Sequence, residues 1–437
     1  MSNEFGAWSR REVLSATGGA LLFAAGRGTV AYGAEQVKIF RGIRYAKSER
    51  FGQPEPVPFT ESLISKERGP ISPQRPSRLE IAMGPSPANR QDEHCQVLSV
   101  FTPARGGKRP VMIFLHGGAF ITGGGELSWY DGDKLAAEQD VVVVTVTYRL
   151  GALGYLLMPG SSGPSPGTSD QILALQWVKA HIASFGGNPD DVTVFGQSAG
   201  GISISALLAW GHGSKLFDRA IVQSGASPVK ARSELEDISK TYLGLLQGDA
   251  TKLPVDDLLS GQVKLTVMRK GDPGWWPIAP ESPAKINTPI LAGWTREDVS
   301  PFILIAQNRS PEPGTDMTLF RKITEKVIEP TRQLALEAAK AGQKAFLYNF
   351  AWNGPDTGLG DCHTIELPFL LGSEAAWKDA PMLKGAAWTD IEAKGRVMRA
   401  IWANYARHGV PAAKGMAPWP LVTADAQPVV DLPPGAA

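Results

Sequence analysis

Short apolar runs alternate with segments of helical periodicity along most of the chain. The runs at 111–115 and 141–146 are almost continuously apolar, which is typical of strands covered on both faces of a sheet. Farther along, apolar residues recur at helical spacing at Ile172, Leu175, Val178, Ile182 and Phe185. The pattern predicts strands at 37–40, 98–101, 111–115, 141–146, 192–195, 220–222, 289–292 and 345–350, and helices at 170–185, 202–210, 319–341 and 391–407.

This alternation predicts an α/β fold with a mostly parallel central sheet and helices on both faces. No internal repeat or long linker is present, so we predict a single domain over residues 34–437. We expect Ser169 or Asp170 to cap the helix at 170–185. The segment 34–90 is predicted to be mostly loop, and the mixed composition of 248–282 gives no clear secondary-structure signal.

The first 33 residues have the composition of an export signal. Arg10 and Arg11 precede a short apolar run at 16–26, and small residues follow at 31–34. The paired arginines resemble a twin-arginine signal, which predicts an exported, periplasmic or secreted protein. The alternative is an ordinary amphipathic or disordered start. The apolar run is shorter than a membrane span needs, so stable membrane insertion is not expected.

Composition narrows the range of partners. Hydrophobic residues make up 43% of the chain and charged residues 20%, which are values of a globular protein. The formal charge is +1 with no basic or acidic block, so no nucleic-acid partner is implied. Cys95 and Cys362 are too few for a disulfide scaffold or a cysteine-based zinc site, although one bridge is possible. The sequence implies no metal or organic cofactor, and it leaves the oligomeric state open.

Candidate chemistry begins at residues 196–200, Gly-Gln-Ser-Ala-Gly, between the predicted strand 192–195 and helix 202–210. A serine on such a strand–turn–helix junction has an exposed hydroxyl, and the N–H of the next residue can bind an oxyanion. Ser198 is therefore the candidate nucleophile and Ala199 a candidate donor. Residues 163–167 repeat the pattern, but no apolar strand precedes Ser165 and Pro166 has no N–H. We interpret Ser165 as part of a surface turn.

A serine nucleophile needs a base and an orienting acid. Among the histidines, His363 lies in a polar loop beyond the predicted strand 345–350, where an α/β hydrolase carries its base. His116 precedes the small residues 117–119, so we expect it to shape that loop. Glu297 and Asp298 follow the predicted strand 289–292 at the expected place for the acid, and chain order does not choose between them.

Longer motifs resemble those of the type-B carboxylesterases, the carboxylesterase–cholinesterase family. They run along the whole predicted domain. The motifs include Phe-Arg-Gly-Ile-Arg-Tyr-Ala at 40–46, Arg-Phe at 50–51, Glu-His-Cys at 93–95, His-Gly-Gly-Ala-Phe at 116–120, Tyr-Arg-Leu-Gly at 148–151, Asp-Gln at 170–171, Phe-Gly-Gly-Asn-Pro at 185–189, Gln-Ser-Gly at 223–225, the acid motif at 293–302 and the histidine motif at 363–369.

The resemblance implies an α/β-hydrolase fold and assigns roles. Asp298 takes the position of the catalytic glutamate, and Glu297 that of a non-catalytic aspartate. The oxyanion hole would be formed by the amides of Gly118, Ala119 and Ala199, with Gly117 and Ser224 as supporting residues. It also implies two structural ion pairs, Arg50 with Glu93 and Arg149 with Asp170.

Some features depart from the family pattern. The acid is the shorter aspartate, Val299 replaces a glycine, and the upstream disulfide partner of Cys95 is missing, which implies a free buried thiol. The segments flanking Asp298 are short, so we expect a shallow, open site.

The predicted function is hydrolysis of small-molecule carboxylic esters through an acyl-enzyme on Ser198. The alternatives are a hydrolase specialised for a lactone, a carbamate or a natural-product ester, and a non-catalytic binding protein of the cholinesterase-like kind. The sequence reveals no cationic pocket for an anionic substrate. Tryptophans that could line an apolar site are Trp129, Trp275, Trp276, Trp352 and, nearest the acid motif, Trp294.

Overall fold

The computed structural model describes residues 28–32, 35–60, 65–225 and 229–433. Its strands are β1 Gly28–Tyr32, β2 Glu35–Arg44, β3 Ala46–Lys47, β4 Glu55–Pro56, β5 Val97–Pro103, β6 Arg109–Leu115, β7 Val142–Val146, β8 Gly187–Gln197, β9 Arg219–Gln223, β10 Ile290–Thr295, β11 Ala345–Phe350 and β12 Val429–Leu432.

Helices connect and cover these strands. They are α1 Glu80–Met83, α2 Asp133–Gln139, α3 Gly151–Tyr155, α4 Pro166–His181, α5 Ala199–Ala209, α6 Arg232–Leu245, α7 Val255–Met268, α8 Ser300–Ala306, α9 Thr318–Val327, α10 Glu329–Lys340, α11 Leu367–Leu370, α12 Glu374–Trp377 and α13 Trp388–His408, with 3-10 turns at Ser128–Tyr130, Ile182–Phe185 and Pro381–Leu383.

All strands except β3 and β4 form one 10-stranded sheet in the order β1-β2-β5-β7-β6-β8-β9-β10-β11-β12. The pairings from β7 to β12 are parallel, and β1, β2, β5 and β7 pair antiparallel at the other end. The predicted α/β class with a mostly parallel sheet is confirmed.

Both faces of the sheet are buried. On β6, Met112 and Phe114 belong to one apolar cluster, whereas Val111, Ile113 and Leu115 belong to a second cluster on the opposite face. Side chains alternate between the faces of a strand, so an apolar layer on each face requires the continuous apolar run seen in the sequence.

The predicted helix at 319–341 is two helices. α9 ends at Val327 and α10 starts at Glu329, with Pro330 in its first turn. Proline has no N–H to continue the helical hydrogen bonds, so the chain starts a new helix there. The uniform periodicity on both sides concealed this break.

The helix predicted at 170–185 starts earlier and ends as a 3-10 turn. α4 begins at Pro166, and Asp170 lies buried inside it rather than at its cap. The interpretation of Ser165 as a surface turn was wrong. Ser165 is buried directly before α4, and its Oγ lies 3.0 Å from Thr168 Oγ1.

Several helices were not predicted. The two longest of them are α6 and α7, and α7 lies within the segment 248–282, whose composition gave no clear signal. Their inner faces pack in a third apolar cluster that includes Leu235, Ile238, Leu258 and Leu265. This cluster lies over α3 and includes Ala199 at the start of α5, so α6 and α7 form a cap near the serine elbow.

Residues 28–32 of the predicted signal form β1, which pairs antiparallel with β2 from Gly28 opposite Ile39 to Tyr32 opposite Glu35. Residues 1–27, including Arg10 and Arg11, lie outside the described residues. Within the part of the chain that the structure covers, no helix is both long and apolar enough to cross a membrane.

Candidate active site

Ser198 occupies a sharp turn between β8 and α5. Its backbone has φ 56° and ψ −122°, an unusual conformation for a residue with a side chain. The Ser198 N–H donates to Gln223 O at 2.8 Å, and Ile202 N–H donates to Ser198 O at 3.0 Å. These bonds hold the turn against the end of β9 and leave the side chain half-buried rather than enclosed.

Gly200 allows this turn to pack closely against β6. A Cβ at residue 200 would lie 1.9 Å from Leu115 O, which no side chain can occupy. The glycine of the pentapeptide is therefore required by the contact between α5 and the end of β6.

Asp298 and His363 form the central contact of the site. His363 Nδ1 lies 2.7 Å from Asp298 Oδ1, and both side chains are largely buried. The other oxygen, Asp298 Oδ2, accepts hydrogen bonds from Thr295 N at 3.2 Å and Thr295 Oγ1 at 3.1 Å. This arrangement places the imidazole N–H on Nδ1 and leaves Nε2 as an acceptor.

The environment keeps the acid ionised. Burial raises the pKa of Asp298, but the adjacent His363, the nearby Ser224 and the Thr295 N–H outweigh it and lower the pKa below its ordinary value. Ser224 thus lies beside the predicted acid, and its buried Oγ has no geometric hydrogen-bond partner among the described residues.

Glu297 points away from His363. Its Oε1 accepts from Arg296 Nε at 3.0 Å and from Arg321 Nε, and its Oε2 accepts from Asp361 N at 2.8 Å. The side chain is fully buried within these contacts. Chain order left the two adjacent carboxylates open and the family resemblance favoured Asp298; of the two, only Asp298 contacts the histidine.

Gln197 contacts the other side of the imidazole. Its Nε2 lies 3.0 Å from His363 Nε2, and the amide donates when Nε2 is the unprotonated nitrogen. The Phe302 ring meets the His363 ring edge-on at 5.0 Å. Sequence reasoning identified neither contact, because no residue type or spacing signals a bond between residues 166 positions apart.

The small-residue loop after β6 lies directly beside Ser198. A Cβ at Gly117 would lie 3.1 Å from Ser198 Cβ, and Gly118 and Ala119 have positive φ of 113° and 53°. Gly118 O accepts from the N–H groups of Ile121 and Thr122, both at 3.0 Å. These two hydrogen bonds close a tight turn at Gly118, and the loop passes next to Ser198.

His116 supports this loop, as the sequence predicted. It is fully buried, its Nδ1 lies 2.8 Å from Gly117 O, and its ring stacks on Tyr148 at 4.4 Å. Tyr148 OH donates to His116 O at 2.6 Å. Burial lowers the pKa of His116 to about 4, so the ring is neutral near pH 7.

A second buried carboxyl lies behind the site. Glu366 Oε2 accepts a hydrogen bond of 2.8 Å from Tyr348 OH. Burial, with a smaller contribution from the nearby Asp298, raises the pKa of Glu366 to about 7 even though the bond from Tyr348 lowers it. The sequence placed Glu366 in the histidine motif without assigning it a role.

Both ion pairs implied by the resemblance are present. Arg50 binds Glu93 with contacts of 2.7 and 2.5 Å. Arg149 binds Asp170 through two contacts of 2.8 Å, with both side chains buried.

The cysteines are unbridged and buried. Burial raises the pKa of Cys95 to about 12 and that of Cys362 well above its ordinary value. The free buried thiol expected at Cys95 is present, and the possible bridge to Cys362 is not formed.

The tryptophans proposed for an apolar site mostly belong to the core. Trp294 is buried and covered by Arg332, whose guanidinium carbon lies 4.6 Å from the ring centre, and Trp129 stacks on Trp377 at 5.3 Å. Trp275 and Trp352 are also buried. The ring of half-buried Trp276 lies with its centre 5.8 Å from that of Phe120, so this tryptophan contacts the glycine loop.

Taken together, the site lies at the carboxyl ends of parallel strands, with the serine after β8, the acid after β10 and the histidine after β11. Residues 24–245 match the sequence profile of the carboxylesterase family. A probable N-octanoylanthranilate hydrolase of Rhodococcus erythropolis is 35% identical over 85% of this chain and 89% of that protein. The para-nitrobenzyl esterase of Bacillus subtilis is 32% identical over 87% and 88% of the respective chains.

Among solved structures, a PNB esterase superposes with a TM-score of 0.78 and 27% sequence identity, covering 93% of each chain. The fold is thus that of an α/β hydrolase. The chain belongs to the carboxylesterase family and is a carboxylic-ester hydrolase.

Proposed function

We propose that the protein cleaves small carboxylic esters through an acyl-enzyme on Ser198, with His363 as base and Asp298 as orienting acid. The observation that carries this proposal is the 2.7 Å contact between His363 Nδ1 and Asp298 Oδ1. That contact leaves His363 Nε2 directed to the elbow, where it meets Gln197, the residue before Ser198.

In the first step, Ser198 Oγ attacks the ester carbonyl carbon and transfers its proton to His363 Nε2. Asp298 stabilises the imidazolium that forms. The N–H groups of Gly118, Ala119 and Ala199 would hold the oxyanion, and one such donor is typically worth ~3 kcal/mol of barrier. The tetrahedral intermediate then expels the alcohol, which takes the proton from His363.

In the second step, water attacks the acyl carbon and gives a proton to His363 Nε2. The new intermediate collapses to the free acid, and Ser198 recovers its proton from His363.

Labelling with a fluorophosphonate probe tests the proposal. The probe should modify the native protein at Ser198, and Ser198→Ala should abolish labelling, whereas Ser165→Ala, a matched change in the buried second copy of the motif, should not. A folded native protein that takes no label would contradict the proposal and favour the non-catalytic binding protein.

Activity on a panel of substrates would show which acyl and alcohol groups the protein prefers. A panel should combine a chain-length series of chromogenic esters with 4-nitrobenzyl esters, N-octanoylanthranilate, a lactone and a carbamate. Lactone, carbamate and natural-product-ester hydrolysis would use the same serine, so a tenfold or greater preference for one of these over simple esters would replace the general esterase proposal with the specialised one.

We also propose that residues 1–33 direct export through the paired Arg10 and Arg11. Replacement of both by lysine should retain the protein inside the producing cell, and unchanged export would contradict the proposal. N-terminal sequencing of the exported protein would show whether β1, Gly28–Tyr32, is retained and whether the predicted domain start at residue 34 holds.

A further inference from the structure

A cleft of about 650 Å³ opens beside the glycine loop. The glycine loop lines one part of it through Gly118 and Ala119, and the segment 75–79, α7 with the two residues 270–271 beyond it, and α8 line other parts. This volume suits a ligand of drug-like size. A larger depression of about 840 Å³ lies at Arg50 and Glu93 and is lined by none of the predicted catalytic or oxyanion residues.

The walls of the cleft are apolar. Val263 and Val267 of α7 and Phe302 and Ile305 of α8 line it. Val267 is 72% exposed and Phe302 is 42% exposed, so large hydrophobic groups face solvent at this opening. Because Phe302 also contacts His363, the apolar surface continues to the catalytic histidine.

Cations line the same cleft, and none of the described residues that line it is an aspartate or glutamate. Arg75 is neutralised by Asp256 at 2.8 Å. Arg78 and Lys270, in contrast, form no ion pair within the described ranges. Arg78 donates to Gly271 O at 2.7 Å, a contact that positions the guanidinium without cancelling its charge.

We infer that Arg78 and Lys270 form an anion-binding subsite that selects esters carrying a carboxylate at the far end of an apolar segment. The inference rests on the proposed function, since the ester carbonyl must lie at the amides of Gly118 and Ala119. The apolar segment would lie along Val263, Val267 and Phe302, and the carboxylate would meet the two cations. The sequence alone reveals no cationic pocket, because residues 78 and 270 come to line one cleft only in the folded chain.

Two 4-nitrophenyl esters test this subsite on the full-length protein. One has an eight-carbon acyl chain that ends in a carboxylate, and the other ends in the neutral carboxamide of the same length. The distal group lies too far from the carbonyl to alter its intrinsic reactivity. We expect kcat/KM to favour the carboxylate by roughly fivefold at low salt, as for two solvent-exposed ion pairs, and the preference to shrink as salt is added.

The double variant Arg78→Gln, Lys270→Gln should lower the carboxylate-to-carboxamide ratio to about one while leaving kcat/KM for the carboxamide within about twofold. Lys264→Gln is the matched control, because Lys264 is an exposed cation of α7 that does not line the cleft. It should keep the preference of the native protein.

A native preference below about twofold, or a preference that survives the double substitution, would overturn the subsite. If both esters were cleaved at the same rate, the subsite would be overturned and the proposed function would stand. The subsite would also fail if Ser198 took the fluorophosphonate label but neither ester was cleaved. Absence of both turnover and labelling would contradict the proposed function and the subsite with it.

Discussion

Gln197 and His363 are joined by a 3.0 Å contact between their Nε2 atoms. The imidazole nitrogen that would receive the proton of Ser198 is therefore already hydrogen-bonded to the neighbouring residue of the elbow. Ser198 must share or replace this bond when it attacks.

Substitution of Gln197 should change the pH dependence of the reaction. A carboxylate in Gln197→Glu would lie beside His363 Nε2 and stabilise the protonated imidazole. The acidic limb of the kcat/KM profile should then move upward by about one pH unit or more. Gln197→Met, of similar size and no charge, should leave the limb in place. Coincident limbs in the two variants would show that Gln197 does not face the imidazole in solution.

The adjacent carboxylates should respond differently to substitution. Asp298→Asn should lower kcat by about 10⁴-fold, because the amide cannot hold the productive imidazole tautomer or stabilise the imidazolium. Glu297→Gln should leave kcat within about tenfold, because its carboxylate contacts Arg296, Arg321 and the Asp361 amide rather than His363. Steady-state kinetics of both variants checks this, and the reverse ranking would assign the acid to Glu297.

Glu366 should link stability to pH. Its pKa is raised to about 7 in the folded state from an ordinary value of 4.5. Between these two pH values the folded protein keeps the Glu366 proton, whereas the unfolded chain has lost it. The stabilisation from this group is present below about pH 4.5 and is lost as the pH rises through about 7.

Glu366→Gln removes that dependence. Relative to the native protein, the variant should gain about 3 kcal/mol of unfolding free energy between pH 4.5 and 8. Urea unfolding at both pH values measures the change, with Glu374→Gln as an exposed control. A native–variant difference that is the same at both pH values would contradict the buried titration.

The buried pair of Arg149 and Asp170 should be important for stability. Asp170→Ala would leave the guanidinium, only 2% exposed, without its carboxylate and should destabilise the fold by roughly 3–5 kcal/mol. Glu55→Ala, which breaks the exposed pair with Lys47, should change stability by about 1 kcal/mol or less. Urea unfolding compares the two variants, and similar losses would argue against the burial of the Arg149–Asp170 pair.

Local sequence patterns accounted for most of the sheet. Continuous apolar runs marked β6 and β7 because both faces of these strands are covered. They did not reveal α6 and α7, in which only a few residues of each helix are buried and polar residues lie among them. β12 also escaped prediction, as a strand of four residues contains too little pattern to be recognised.

The sequence by itself determined the strand–turn–helix junction at Ser198, the glycine loop at 117–119 and the order of acid and histidine along the chain. Those features are encoded by contiguous residues, so they can be read without the fold. The residues themselves did not choose between Asp298 and Glu297, for which the family resemblance was needed, and the tertiary structure shows that Asp298 contacts His363, since neighbouring residues of a turn point in different directions. It also brought Gln197 to His363, and Arg78 and Lys270 to one cleft, because distances between remote residues are set by packing.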